Sequence, residues 1–181
     1  MSVGYRYRDT KVDIGSDSSD HFFNIGARGE FSPKFTGKVA VGWNRRKLDI
    51  GGDKDMFGVD SSFAYEIDPK TNLQFGASND FGTSPNGQQQ KNLVLNGMVT
   101  TKISEEWSVN AGLSWRNIAY SRFGRLTPHE DDYIEGQLGT TYIISANIRL
   151  VGGYTYRKYN ADIAATEFKN NVFSFAANFR Y

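Results

Sequence analysis

Apolar and polar residues alternate along most of this chain. Over the last nine residues Phe173, Phe175, Ala177, Phe179 and Tyr181 share one parity, and Ser174, Ala176, Asn178 and Arg180 the other. A period of two marks a β-strand, because successive side chains point to opposite faces. The same pattern sets Phe35, Gly37, Val39, Val41 and Trp43 against Thr36, Lys38, Ala40, Gly42, Asn44 and Arg46. It recurs in Phe57 through Ile67, in Leu73 through Ala77 and in Leu93 through Ile103. Three more runs start at Trp107, Ile134 and Ile148. With the strands at each end, the pattern predicts about ten strands.

The connections between these runs come in two kinds. Phe31-Ser-Pro-Lys-Phe35, Ile67-Asp-Pro-Lys-Thr-Asn-Leu73, Ile103-Ser-Glu-Glu-Trp107 and Ile144-Ser-Ala-Asn-Ile148 are short polar inserts between apolar residues. Phe31, Ile67, Ile103, Ile144 and Tyr181 fall 36, 36, 41 and 37 residues apart, so the repeating unit is one strand up, a loop, and one strand down. The stretches 9–20, 48–55, 82–91, 118–132 and 160–169 are rich in Asp, Ser, Gly, Asn and Gln and read as solvated loops. The expected fold is all-β: an up-and-down antiparallel barrel with four short turns on one rim and five longer loops on the other.

Such a barrel either buries its apolar face in water or shows it to lipid. The aromatics decide between the two. Phe31, Phe35, Tyr65, Trp107 and Tyr142 lie beside the short turns, and Tyr7, Trp43, Phe57, Trp115 and Tyr156 beside the loops. Two aromatic belts around a Val/Leu/Ala/Gly middle suit a bilayer, whereas a soluble core would place its largest rings centrally. Only 39% of residues are hydrophobic, but a barrel strand meets lipid with every second side chain, so low average hydropathy is no obstacle. The expectation is a bacterial outer-membrane barrel with periplasmic turns and outer loops, in contact with outer-membrane lipid and lipopolysaccharide. The strand carrying Phe173, Phe175, Phe179 and Tyr181 resembles the C-terminal signal by which the barrel-assembly machinery recognises its clients.

The paired strands, the Phe-Ser-Pro-Lys-Phe and Asp-Pro-Lys-Thr-Asn-Leu turns, Phe75-Gly-Ala-Ser-Asn-Asp-Phe-Gly82 and the terminal Phe-Arg-Tyr together resemble the β-barrel porin type 2 family. The resemblance runs through nearly the whole chain. It implies a passive outer-membrane pore, associated with exopolysaccharide export and with polysaccharide as a partner, in barrels longer than this one. An internal comparison agrees on length: Val3-Gly-Tyr-Arg-Tyr echoes Val41-Gly-Trp-Asn-Arg and Gly153-Tyr-Thr-Tyr-Arg, but fewer strand residues precede it. Residues 1–181 are therefore expected to form a single barrel domain, the C-terminal portion of a larger ring. Pairing of the first strand with the last to seal ten strands would contradict this.

The parity opposite the apolar one carries Arg6, Arg46 and Arg180 and a set of candidate lumen-lining residues: Arg28, Glu30, Lys38, Asp60, Glu66, Asp80, Lys102, Arg116, Glu135, Arg149 and Arg157. In a narrow barrel these would pair across the lumen and plug it; in a wider one they would line a wet pore whose basic excess favours anions. Saccharides are the other solute class considered. The net charge of +1 gives no footprint for nucleic acid, and with no cysteine there is no disulfide or thiolate metal site. Residues 1–30 contain no basic segment followed by an apolar core. His129-Glu-Asp-Asp132 superficially suits a hydrolase, but no nucleophile pattern accompanies it, and a solvated loop is the simpler reading. Asp13, Asp17 and Asp20 miss the spacing of a calcium loop. The Tyr/Trp-x-Tyr/Arg-Arg repeat reads as interface anchoring rather than a carbohydrate row. No cofactor or metal is expected. A non-enzymatic pore leads, ahead of a plugged barrel whose outer loops bind a partner or surface polymer, with an outer-membrane hydrolase third.

Overall fold

The computed structural model of the protein describes residues 1–121, 127–162 and 166–180. It contains ten strands: β1 (Ser2–Thr10), β2 (Ser18–Ser32), β3 (Phe35–Leu48), β4 (Lys54–Asp68), β5 (Thr71–Thr83), β6 (Gln89–Lys102), β7 (Trp107–Tyr120), β8 (His129–Ser145), β9 (Ile148–Ala161) and β10 (Phe168–Phe179). They form one sheet in the order β1 to β10, each strand antiparallel to its neighbour in the chain. The four tight connections fall at the expected inserts. Among the described residues no helix is long and apolar enough to cross a membrane, which says nothing of strands.

The loops are shorter than the sequence suggested. The stretch taken as loop 9–20 gives Asp9 and Thr10 to β1 and Ser18–Asp20 to β2, leaving 11–17. Likewise 82–91 shrinks to 84–88, and His129 through Asp132 belong to β8 rather than to a solvated loop. Polar composition resembles a loop here because one face of these strands is polar to its outer end, and the ladder continues through polar pairs such as Arg8↔Asp20 and Thr83↔Gln89.

Burial is inverted relative to a soluble protein. Val3, Ile25, Leu113 and Phe173 are 87%, 63%, 63% and 80% exposed, while Arg46 and Asn44 are each 1% exposed. Apolar groups left on the surface and polar ones buried mean that the solvent for the outer face is hydrocarbon. The soluble barrel is thereby eliminated. Aromatic belts follow the expected rims. Phe31, Phe35, Phe63 and Phe75 stack in a row near the tight turns, with centroids 5.2 to 6.2 Å apart. Toward the loops, the Trp43 and Trp115 indoles donate to Asp55 and Asp132, each at 3.1 Å, so these rings keep a polar end at the interface.

The sheet is strongly curled. Four strand spacings would put β1 and β5 about 19 Å apart on a flat sheet, yet Arg8 on β1 bonds Asp80 on β5 at 3.2 Å. Curvature makes one face concave, and that face is the polar one. β1 pairs with β2 and β10 with β9; among the described residues no β1–β10 ladder is present, so the sheet is open.

Candidate functional site

Register, strand by strand, places all eleven candidate lumen-lining residues on the concave face. Arg28 lies opposite Lys38 and Asp60 opposite Ser78. Arg116 lies opposite Tyr133, Glu135 opposite Arg157 and Arg149 opposite Asn178. The structure pairs some of them. Lys38 meets Asp60 at 3.1 Å, Arg157 meets Glu135 at 2.8 Å, and Asp80 accepts from Arg6 at 2.9 Å. Arg28, Glu30, Glu66, Lys102, Arg116 and Arg149 make no salt bridge among the described residues. Both members of the Lys38–Asp60 pair are about half exposed, so the pair leaves that region wet.

The densest chemistry sits at the outer end of β1–β6, and most of it involves residues the sequence reading placed in loops or left out. Arg8, Asp20, Arg46 and Lys54 are successive cross-strand partners on β1, β2, β3 and β4. Asp20 receives Arg46 through Nε at 2.6 Å and Arg8 through Nε at 2.8 Å. Arg46 also donates to the Gly82 carbonyl at 2.6 Å and to Gln89 Oε1 at 2.5 Å, and its guanidinium lies 4.9 Å over the Phe81 ring. Asp80 takes a further bond from Asn44 at 2.7 Å. Phe22 and Met56 fill gaps as apolar residues on the polar face, and Phe81, of the apolar parity, is buried against the Arg46 guanidinium. Inward parity could have found Arg8 and Asp20, since they continue the rows of Arg6 and Arg28.

Loops lie over this network. The Ile50 N–H donates to Ser16 Oγ at 2.8 Å, the Asp49 N–H to the Asp17 carbonyl at 3.1 Å, and Gln89 Nε2 to the Ser16 carbonyl at 3.5 Å. Gly15 (φ 121°) and Gly87 (φ 84°) approach so closely that a Cβ on either would strike the other's backbone. The positive φ and the contact together call for glycine at both places. The loop 11–17 is thus tied across the mouth to 84–88.

A second group occupies the outer end of β7–β9. Tyr159 donates to Asp131 at 2.5 Å, and Tyr133 and Arg157 both donate to Glu135. His129 stacks on Tyr120 with centroids 4.2 Å apart, and its Nε2 lies 3.9 Å from Asp131. The hydrogen-bond partner of His129 is the Thr127 carbonyl, which cannot act as a nucleophile. His21 is on the outer face, bonded to Tyr5. At the β4–β5 turn, Asp68 accepts the Lys70 N–H at 2.8 Å, which holds its carboxyl below the ordinary carboxylate range. Of the calcium trio, Asp20 is spent on arginines and Asp17 accepts the Val12 N–H. Among the described residues no group of carboxylates and histidines could hold a metal. Tyr181, the last residue of the expected assembly signal, lies outside the described residues, while Phe173, Phe175 and Phe179 stand on the outer face, at least 70% exposed.

An inside-out, curled, up-and-down antiparallel sheet with aromatic belts defines an outer-membrane β-barrel protein. The whole chain, residues 1–181, matches the family described as "Putative beta-barrel porin 2", and the protein belongs to that family. Among solved structures it is similar to the outer membrane channel DcaP of Acinetobacter baumannii, at 13% identity and a TM-score of 0.58, over 98% of this chain and 62% of that one. It is also similar to the monoaromatic hydrocarbon channel TodX, solved as a deletion mutant, at 14% identity and a TM-score of 0.50, over 95% of this chain and 63% of the other. At these identities the likeness concerns fold. The chain thus spans about three fifths of the length of these two channels. None of the curated proteins matches the sequence. The protein is an outer-membrane β-barrel of porin type.

Proposed function

We propose that the sheet forms part of the wall of a passive, non-enzymatic diffusion pore for small polar solutes, with anions or saccharides as the solute class. The observation that carries this reading is the concave face. It carries polar and charged side chains on strand after strand, and charges such as Arg28, Lys38 and Asp60 sit there about half in water or more instead of being packed away. A face built to be filled would be closely packed and fully paired. In a bilayer both free edges must be paired, since no water reaches the hydrocarbon to satisfy them. We therefore propose that these ten strands complete their ring with further strands. The outer face would meet lipid and lipopolysaccharide, β10 would present Phe173, Phe175 and Phe179 to the assembly machinery, and polysaccharide would be a partner at the loops.

The plugged-barrel reading has one specific support: the Arg46 network and the tied loops 11–17 and 84–88 fill the outer end of β1–β6. Purified protein in planar lipid bilayers separates the two. Discrete conductance steps in 1 M KCl (about a 3 Å screening length) are expected for the pore. A barrel that inserts fully, judged by its resistance to protease, yet gives no steps would leave the plugged reading.

A further inference from the structure

The rung Arg8, Asp20, Arg46, Lys54 reads cation, carboxylate, cation, cation across four neighbouring strands. Like charges directly opposite one another on a sheet are destabilising, and here Arg46 and Lys54 are such a pair. Among the described residues Lys54 makes no salt bridge, so no carboxylate offsets the Arg46 it faces. Asp20 is fully engaged by Arg8 and Arg46. The second carboxylate, Asp80, is shared among Arg6, Arg8 and Asn44. Asp17, in the loop above, is turned onto the Val12 N–H of its own loop. Four cations (Arg6, Arg8, Arg46, Lys54) therefore face two carboxylates, a net charge of +2 on the concave wall just inside the loop rim.

The surplus is also accessible. Arg46 and Asp20 are buried behind, whereas the Arg6 side chain is 47% exposed and Lys54 is half-buried. Arg6 uses one nitrogen, Nη2, in its bond to Asp80, and its guanidinium lies 5.1 Å over the Phe22 ring. A guanidinium has five N–H donors in a fixed fork suited to oxyanions, so most of that fork is free. The carboxylates thus hold the arginines in place without cancelling them.

We propose that the outer end of β1–β4 is an anion-recognition subsite, with Lys54 and Arg6 as its specificity-determining residues and a small oxyanion, phosphate or carboxylate, as its ligand. Arg8, Arg46, Asp20 and Asp80 are positioning residues that fix the site. This names the solute class at the mouth of the pore proposed above and rests on that reading only for its effect on conduction. Binding itself does not depend on conduction.

The test uses the full chain in detergent and in bilayers, with Lys54→Gln, Arg6→Gln and the double variant. Isothermal titration with inorganic phosphate should show binding to the wild type, weakened about tenfold by each substitution, the size of one charge-assisted hydrogen bond. Lys34→Gln, in the tight turn at the opposite end of the strands, should leave phosphate binding as it is. In a KCl gradient the wild-type reversal potential should indicate anion preference, and the double variant should move it toward cations. No phosphate binding by the wild type, or equal binding by the double variant, overturns the subsite. Absence of conductance with phosphate binding intact would overturn the pore and leave the subsite standing.

Discussion

Asp20→Asn is the sharpest test of how the outer end of the sheet is held. The Asp20 side chain is 5% exposed and takes bonds from Arg46 at 2.6 and 2.8 Å and from Arg8 at 2.8 and 2.5 Å. Asparagine preserves the shape and one acceptor but removes the charge, leaving Arg46, 1% exposed, as a buried cation with neutral partners. Breaking one side of a buried ion pair costs about 3–5 kcal/mol. Two features pull the figure to the lower end: Gln89 and the Gly82 carbonyl still receive Arg46, and Asp80 still receives Arg8. The expected loss is about 3 kcal/mol. Asp60→Asn is the internal control, because the Lys38–Asp60 pair is 51% and 46% exposed and should be worth about 0–1 kcal/mol. Both can be measured by urea unfolding in lipid vesicles, followed through the tryptophan emission. Combining Asp20→Asn with Arg46→Gln should recover part of the loss, with a coupling of about 2 kcal/mol. If Asp20→Asn costs no more than Asp60→Asn, the network does not stabilise the fold.

Two further outcomes are expected. Replacing Arg28, Lys38 and Arg116 together by Ser should shift the reversal potential toward cations in a salt gradient, and an unchanged potential would remove these residues from the permeation path. Replacing Phe173, Phe175 and Phe179 by Ser should lower the yield of folded protein in the outer membrane, since each ring loses roughly 1.5–3 kcal/mol of burial in lipid; wild-type yield would show that β10 is not read during assembly.

The strand count and the tight turns were legible because each depends on neighbours in sequence. Parity alone places Phe57, Val59 and Phe63 on one face, and Asp-Pro-Lys-Thr-Asn between Ile67 and Leu73 leaves room only for a turn. The inside-out burial was legible for a similar reason, since belts at both ends of a strand show in one dimension. The Arg46 network was not. Its partners come from β1, β2, β5 and β6, and they meet only because the sheet curls, a property that no single strand encodes. Rules learned from water also misled: Asp20 and Gln89 looked like loop residues because polar residues usually end a strand. Phe22 and Met56 broke the alternation in the other direction, as apolar residues on the wet face, and only the packing against Arg6 and Asn44 explains them.

The ties between outer loops bear on how the protein could be altered as a carrier. The loops 11–17 and 84–88 are held by Ser16, Gly15 and Gly87, so lengthening either would pull at the mouth. Between β3 and β4 the situation differs. Beyond the anchored Asp49 and Ile50, Gly51 and Gly52 adopt φ of 112° and 81°, and a side chain at Gly52 would meet open space. Loop tips of this kind tolerate inserted sequence. A peptide spliced there would be displayed on the cell exterior while the charged rung beneath kept its geometry.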